Sequence, residues 1–494
     1  MKKLAEEEIN NNIALTDYVL AEIDDKIVRV PASHLMTDNT TQYYGVEVIK
    51  GQTSSVVTKI GDATMISEKP VHAATYPAVV NEAGSVVQEL DKQNITLQTG
   101  GSPATIDGSI GDVVRVFPYF YFSFEDAGDR YRIKISPFNL PGFVKVDEFM
   151  VGIFMANIDA VTGKLHSKSS VTPTISKTRA EFRTAAALKG DGWCQVDLEV
   201  RNWLYWLFVI ENGNLNSQAI IGEGATNANS TDWSNYNAYN PIWDNGEGNA
   251  TEIITGEIPV SVDDFVNNDI VDESFVSNFD VAVALAHTVL VSGTVVVTTT
   301  DSVTTYTEGV DYTINYTSGT ITVLSTGSMA DATSYYIDYS YLTALSTNIA
   351  TLWQIRDIYG HLYEFCDGLN NHNATVTGSR FFQCKDPANF ADDTETNYEL
   401  IGNAPEADGY ISKFIPGSIM PIKDMPAGSS SQHCGDYYYS YFDNDPDVGW
   451  RVLLVSGYAS DGSSCGLAVA YCFDGASYAS TIFGSRLCFK SKYA

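Results

Sequence analysis

The chain has 494 residues, of which 61 are Asp or Glu and 29 are Lys or Arg, giving a net charge of −32 and a pI near 4.4. Neutralising nucleic-acid phosphates or docking on an anionic membrane needs a basic patch, so this balance argues against both partners. Seven cysteines, an odd count without CxxC spacing, read as free thiols of a reducing cytosol rather than a secreted disulfide framework.

The start, MKKLAEEEINNN, has two lysines but no apolar run behind them, so it does not read as a signal peptide. The longest apolar run, Trp203–Ile210, is too short to span a bilayer, and no membrane insertion is expected. Residues 1–41 are a polar lead followed by a strand-like stretch, YVLAEIDDKIVRVPASHL, with no core of its own. Such a segment is expected to attach the chain to another protein. Residues 42–108 alternate short β-like runs (YYGVEVI, SSVVTKI, SVVQELD) with turn signals at Gly51, Gly61-Asp62 and Ala83-Gly84, and are expected to form a small β-rich domain.

Residues 109–258 begin with strand-like GDVVRVFPYFYFSFE and VDEFMVGIFMAN. A helix is predicted over Ser176–Leu188, capped by Ser176 or Thr178, with Ala180, Phe182, Ala186 and Ala187 as its apolar face. A stop at Gly190–Gly192 precedes a second helix, in which Val200, Trp203, Leu204, Leu207 and Phe208 recur at helical spacing and read as core. Residues 259–345 change character. They are rich in Thr, Val, Ser and Tyr, alternate at period two and turn at Glu308-Gly309, Ser318-Gly319 and Thr326-Gly327, which predicts an inserted antiparallel β-sandwich. No Lys or Arg occurs between Arg201 and Arg356. Residues 346–494 then resume the interrupted domain.

The C-terminal stretch Ser431–Lys490 carries the main functional signal. Between the phrases GWRVLLVSG (Gly449–Gly457) and GSRLCFK (Gly484–Lys490) lies a run of Tyr, Ser, Asp, Gly, Cys, Phe and Ala. Tyr supplies stiff contact area at low entropy cost and Ser and Gly supply adaptable polar contacts, which is the composition of a binding surface. The residue types are also those of codons ending in a pyrimidine, the set produced when Asn codons are randomised at their adenines. Diversified positions would then include Tyr458, Ser460, Asp461, Ser463, Ser464, Cys465, Tyr471, Cys472, Phe473, Asp474, Ser477, Tyr478, Ser480 and Ile482. A Gly/Ser/Tyr-rich set of strands and turns gives the same composition. The ligand-binding residues expected are Tyr437, Tyr439, Tyr441, Tyr458, Ser460, Asp461, Tyr471, Phe473, Asp474 and Tyr478.

These two closing phrases, in this order, resemble the WRVLLVGG-like and GSRLCF-like strands of the C-type-lectin-fold variable proteins of bacteriophages, with Ser456 departing from the first. Thr351–Asn370 resembles the D-x-x-G-N-x-x-E-W-x-D-G motif of formylglycine-generating-enzyme-like domains at Asp357, Gly360, Glu364, Asp367 and Gly368, with His361 and Phe365 in place of Asn and Trp. The resemblance implies an α+β, C-type-lectin-like domain split by the inserted β-sandwich and preceded by a small N-terminal β/attachment region. It implies a virion fibre or receptor-binding protein, commonly a homotrimer, made in the host cytoplasm, held to other virion proteins through its N-terminus and binding a bacterial cell-surface receptor, glycan or protein. The alternative is a head fibre or capsid decoration without a dedicated receptor.

Catalysis and metal binding are not expected. The formylglycine branch needs paired reactive cysteines; Cys465 and Cys472 are seven apart, but no His or basic cluster stands near them in sequence to lower a thiol pKa. The oxygen-rich Asp443–Asp447 suits Ca²⁺ in ligand type. It lacks the Glu-Pro-Asn or Gln-Pro-Asp and Trp-Asn-Asp pattern of calcium-dependent lectins and reads as a solvated turn. His361, His372 and His433 are scattered and read as structural, and no cofactor is expected.

Overall fold

The structure is a computed structural model and describes residues 18–23, 26–31, 42–92, 94–169, 171–222, 224, 226, 265–286, 290, 294–315, 319–344, 350–374, 378–425, 428–440 and 449–493. Strands make up about 40% and helices 13%, so the expected α+β class is overturned: the chain is a multi-sheet, mostly-β protein. The expectation of a C-type-lectin-like fold falls with it. The physical reason lies in the alternation of apolar and polar residues, which continues through nearly every segment and leaves long helical periodicity only near Arg179 and Leu198.

Two sheets are built from the front half, and the second also takes in the C-terminal strand Leu487–Lys490. One has five strands in the order Val144–Val146, Phe120–Asp126, Arg130–Ser136, Tyr44–Ile49, Thr58–Gly61. The other has six, in the order Trp193–Gln195, Leu487–Lys490, Phe149–Gly152, Asp112–Phe117, Tyr76–Val80, Val86–Glu89. Strands from 42–108 therefore enter both sheets beside strands from 109–258, and a boundary at 108 separates neither sheet. Of residues 1–41, Tyr18–Ile23 and Lys26–Pro31 form an antiparallel hairpin.

The helix Arg179–Ala187 starts at Thr178, whose hydroxyl accepts from Glu181 N while the Glu181 carboxylate accepts from Thr178 N at 2.8 Å, a reciprocal capping box. Its buried face is Arg179, Phe182, Ala185 and Ala186 rather than the expected alanine-rich one, and Ala187 is exposed. Arg179 turns inward because Asp392 and the Leu369 carbonyl receive its guanidinium. The helix Leu198–Asn212 begins where Asp197 accepts from Val200 N at 2.9 Å and ends at Gly213 with φ +68°. It is buried nearly all round, as the apolar run required, with Trp203 alone of the expected core set only half-buried. Its side chains share one core with the five-stranded sheet and with the large sheet of the C-terminal half.

Residues 265–344 carry their own core, including Val297, Tyr312, Ile321, Val323, Ile337 and Tyr339. It lies among a four-stranded sheet (Phe265–Val276, Ser334–Ala344, Val296–Thr299, Thr305–Tyr306) and a three-stranded one (Ala282–Ala284, Thr320–Val323, Tyr312–Asn315). Phe265 pairs with Ala344, so the module's two ends are neighbours.

The largest sheet among the described residues has eight strands. Seven run in the order Glu399–Asn403, Gly378–Gln383, Tyr363–Ala374, Gly449–Ser456, Gly466–Cys472, Tyr437–Ser440, Gly409–Tyr410, and Phe483–Gly484 lies parallel to the start of Tyr363–Ala374. Buried ion pairs lock this sheet to the rest. Arg486 of GSRLCFK donates through Nε to Glu364 at 2.9 Å and through Nη1 and Nη2 to the carbonyls of Gly152, Ile153, Arg356 and Asp357. Asp367 receives Arg183 at 2.6 Å and Gln195 at 2.8 Å, and Lys490 donates to Asp197 at 2.9 Å and Glu199 at 2.6 Å. The acidic motif residues Glu364 and Asp367 are thus fully buried clamps with charged and hydrogen-bonded partners, which is the condition for tolerating charge in a core.

Candidate binding surface

Alternation along the strand Tyr437–Ser440 turns Tyr438 and Ser440 into the core and leaves Tyr437 and Tyr439 half-buried on the other face. The parallel register sets Tyr439 beside Tyr471 of the strand Gly466–Cys472. The rings form a continuous row. Tyr410 contacts Tyr437 at 5.0 Å between centroids, Tyr437 contacts Tyr439 at 4.6 Å, Tyr439 contacts Tyr471 at 5.4 Å, and Tyr471 contacts Phe473 at 5.9 Å. Beneath them Tyr363, itself buried, touches Tyr471 at 4.8 Å and stacks on Tyr458 at 5.4 Å. Phe483 lies against Tyr363 and Tyr478. Phe473 is 38% and Tyr478 52% exposed, so the row opens to solvent at that end.

Two carboxylates sit among the rings. Asp461, half-buried, accepts from Tyr458 N at 3.1 Å and from the hydroxyls of Tyr363 and Tyr439. Burial pushes its carboxyl up to about 6, against the opposing pull of those hydrogen bonds. Asp474 accepts from Tyr471 Oη at 2.9 Å, and burial raises its carboxyl too. Burial likewise pushes the Tyr363, Tyr439 and Tyr471 hydroxyls upward, so they stay protonated donors. Tyr410 Oη and Ser463 Oγ share a hydrogen bond of 3.0 Å at the rim.

The turn that presents Asp461 is tightly built. Ser456 sits at φ +81°, in the left-handed region that favours glycine, and its hydroxyl donates to the Ile358 carbonyl at 3.1 Å. A Cβ on Gly457 would lie 2.5 Å from Cys465 Sγ, so the chain there has room only for glycine.

Of the ten expected binding residues, the structure brings Tyr437, Tyr439, Tyr458, Asp461, Tyr471, Phe473, Asp474 and Tyr478 into or beside this row, and Ser460 lies in the Asp461 turn. Tyr441 lies outside the described residues, as does Asp443–Asp447. Tyr363 and Tyr410 went unanticipated. Tyr363 belongs to the Glu364 motif phrase, and only the pairing of distant strands places it under the row. Cys465 and Cys472, among the positions with diversity-like composition, are fully buried core residues, so packing constrains them. Burial pushes both thiols up, away from the reactive thiolate. His361 is buried near Asp357, His372 stacks on Trp450 at 4.2 Å, and His433 is buried. Among the described residues, no group of three His, Cys, Asp or Glu is arranged to hold a metal, and no helix is long and apolar enough to cross a membrane.

A family described as "protein of unknown function UCP028589" matches residues 262–364, well short of half the chain. The matched span covers the two-sheet module and runs on to Glu364, stopping before nearly all of the aromatic row. No curated protein matches the chain.

Proposed function

We propose that this chain is a non-enzymatic attachment protein of a virus particle, a fibre or receptor-binding component, whose C-terminal aromatic face recognises a molecule on the surface of a bacterial host. The observation that carries the reading is the Tyr410–Tyr437–Tyr439–Tyr471–Phe473 row, open to solvent at Phe473 and Tyr478 and fixed from below by Tyr363. Rings of this kind desolvate large contact areas at low entropy cost, and several copies on one particle multiply weak contacts through avidity. The strong negative charge keeps many copies soluble and apart. The GWRVLLVSG and GSRLCFK phrases add the likeness to phage variable proteins, with assembly as a homotrimer and anchoring through residues 1–41 as part of the same proposal.

The test is binding of labelled full-length protein to a panel of bacterial cells, with Phe473→Ala/Tyr478→Ala beside it. Both side chains are partly exposed at the rim, so the variant should fold with a modest loss of stability, read by its melt before binding is compared. Loss of cell binding in the variant alone places recognition on this face. Undiminished binding by the variant moves recognition elsewhere on the chain. A chain that binds no cell in the panel, yet is found on the particle head, is a structural decoration.

A further inference from the structure

Resting on that reading of the aromatic face, the charges around it narrow the partner. Between Lys423 and Arg486 the sequence has seven Asp residues, no Glu, no Lys and a single Arg, Arg451. The charge of Arg451 acts on Asp474. Lys177 flanks the loop through the Ser176 N to Ser480 O hydrogen bond, yet it is paired with Glu181 at 3.0 Å. The Asp461 carboxylate accepts from neutral donors, a backbone N–H and two tyrosine hydroxyls, and Asp474 accepts from a tyrosine hydroxyl. Two half-buried carboxylates thus stand among electron-rich ring faces. Ring faces attract cations, and a half-desolvated carboxylate held by neutral donors, as Asp461 is, does so more strongly than one in water. The same arrangement repels phosphorylated or carboxylated polymers.

We infer that this face receives a cationic side chain, an arginine or lysine presented by a peptide segment of a surface protein, with Asp461 and Asp474 as its charge partners and Tyr439, Tyr458, Tyr471 and Phe473 as its stacking surface. A planar guanidinium suits the site best, since it stacks on a ring and donates to a carboxylate at once.

The experiment titrates full-length protein into a fluorescent acetyl-Gly-Arg-Gly-Arg-Gly peptide, and into the same peptide with citrulline, which keeps the shape and loses the charge. At near-physiological salt, the arginine peptide is expected to bind at least about tenfold tighter. Asp474→Asn and Phe473→Ala/Tyr478→Ala are each expected to weaken it about tenfold, and Asp461→Asn at least as much. Glu399→Gln, which removes an equal charge from an exposed site on the opposite edge strand of the sheet, is expected to leave it unchanged. Equal binding of both peptides, or an equal loss in Glu399→Gln, overturns the inference, the second result reducing it to net charge. If cells lose binding to Phe473→Ala/Tyr478→Ala but not to Asp474→Asn, the inference fails while the attachment surface stands. If cells bind both variants undiminished, the surface itself is wrong.

Discussion

Asp461 is the carboxylate among the surface rings that burial pushes up to about 6. Its folded carboxyl titrates at about 6 against an ordinary value of 3.8, so the folded chain holds this proton more tightly than the unfolded chain. The stability tied to that proton is full below about pH 4 and is lost as pH rises through about 6. Compared with Asp461→Asn, the wild type should lose stability over that window, and urea melts at both ends check it. A flat difference would mean that water reaches the carboxyl freely. Arg486 is the contrasting case, with its charge matched inside the core by Glu364 and by four carbonyls. Arg486→Met leaves Glu364 buried and uncompensated and should cost about 3–5 kcal/mol in denaturant unfolding, more than Glu364→Gln/Arg486→Met together.

At the scale of the element, the C-terminal sheet is positioned by turns that accept little change. Gly466 has φ +153°, and a Cβ there would lie 1.9 Å from Asp436 Oδ1, inside the strand that carries Tyr471. Gly466→Ala should therefore give insoluble or strongly destabilised protein and abolish cell binding, whereas Thr178→Ala, which removes only a helix cap, should cost about 1 kcal/mol and leave binding intact. Thermal melts beside cell binding separate the two. The two longest helices were the most legible elements, because Thr178 with Glu181, and Asp197 with Gly213, state their own ends, whereas the short helix Ala63–Glu68 lies in a stretch read as strands and turns. The inward face of Arg179–Ala187 was not legible, since burying Arg179 depends on Asp392 more than two hundred residues away.

Over the whole molecule, the module at 265–344 stands apart with its own core and adjacent ends. Replacing it by a short Gly/Ser linker should leave the melting of the remainder and its cell binding nearly unchanged, because closing a loop between neighbouring ends carries a small entropic cost. Loss of folding on excision, followed by circular dichroism, would show that the module braces the rest.

Legible in the residues alone were the acidic character, the free and mostly apolar role of the cysteines, the two longest helices, the strand-rich character of 259–345 and the aromatic enrichment of the C-terminus. These follow from composition, local periodicity and capping, which act within a few residues. Tertiary pairing set the sharing of two sheets between 42–108 and 109–258, the pairing of Glu364 with Arg486 and the placement of Tyr363 beneath the surface row. Those depend on hydrogen bonds and ion pairs between strands far apart in the chain, and an alternating strand carries no local mark of which distant strand it will pair with.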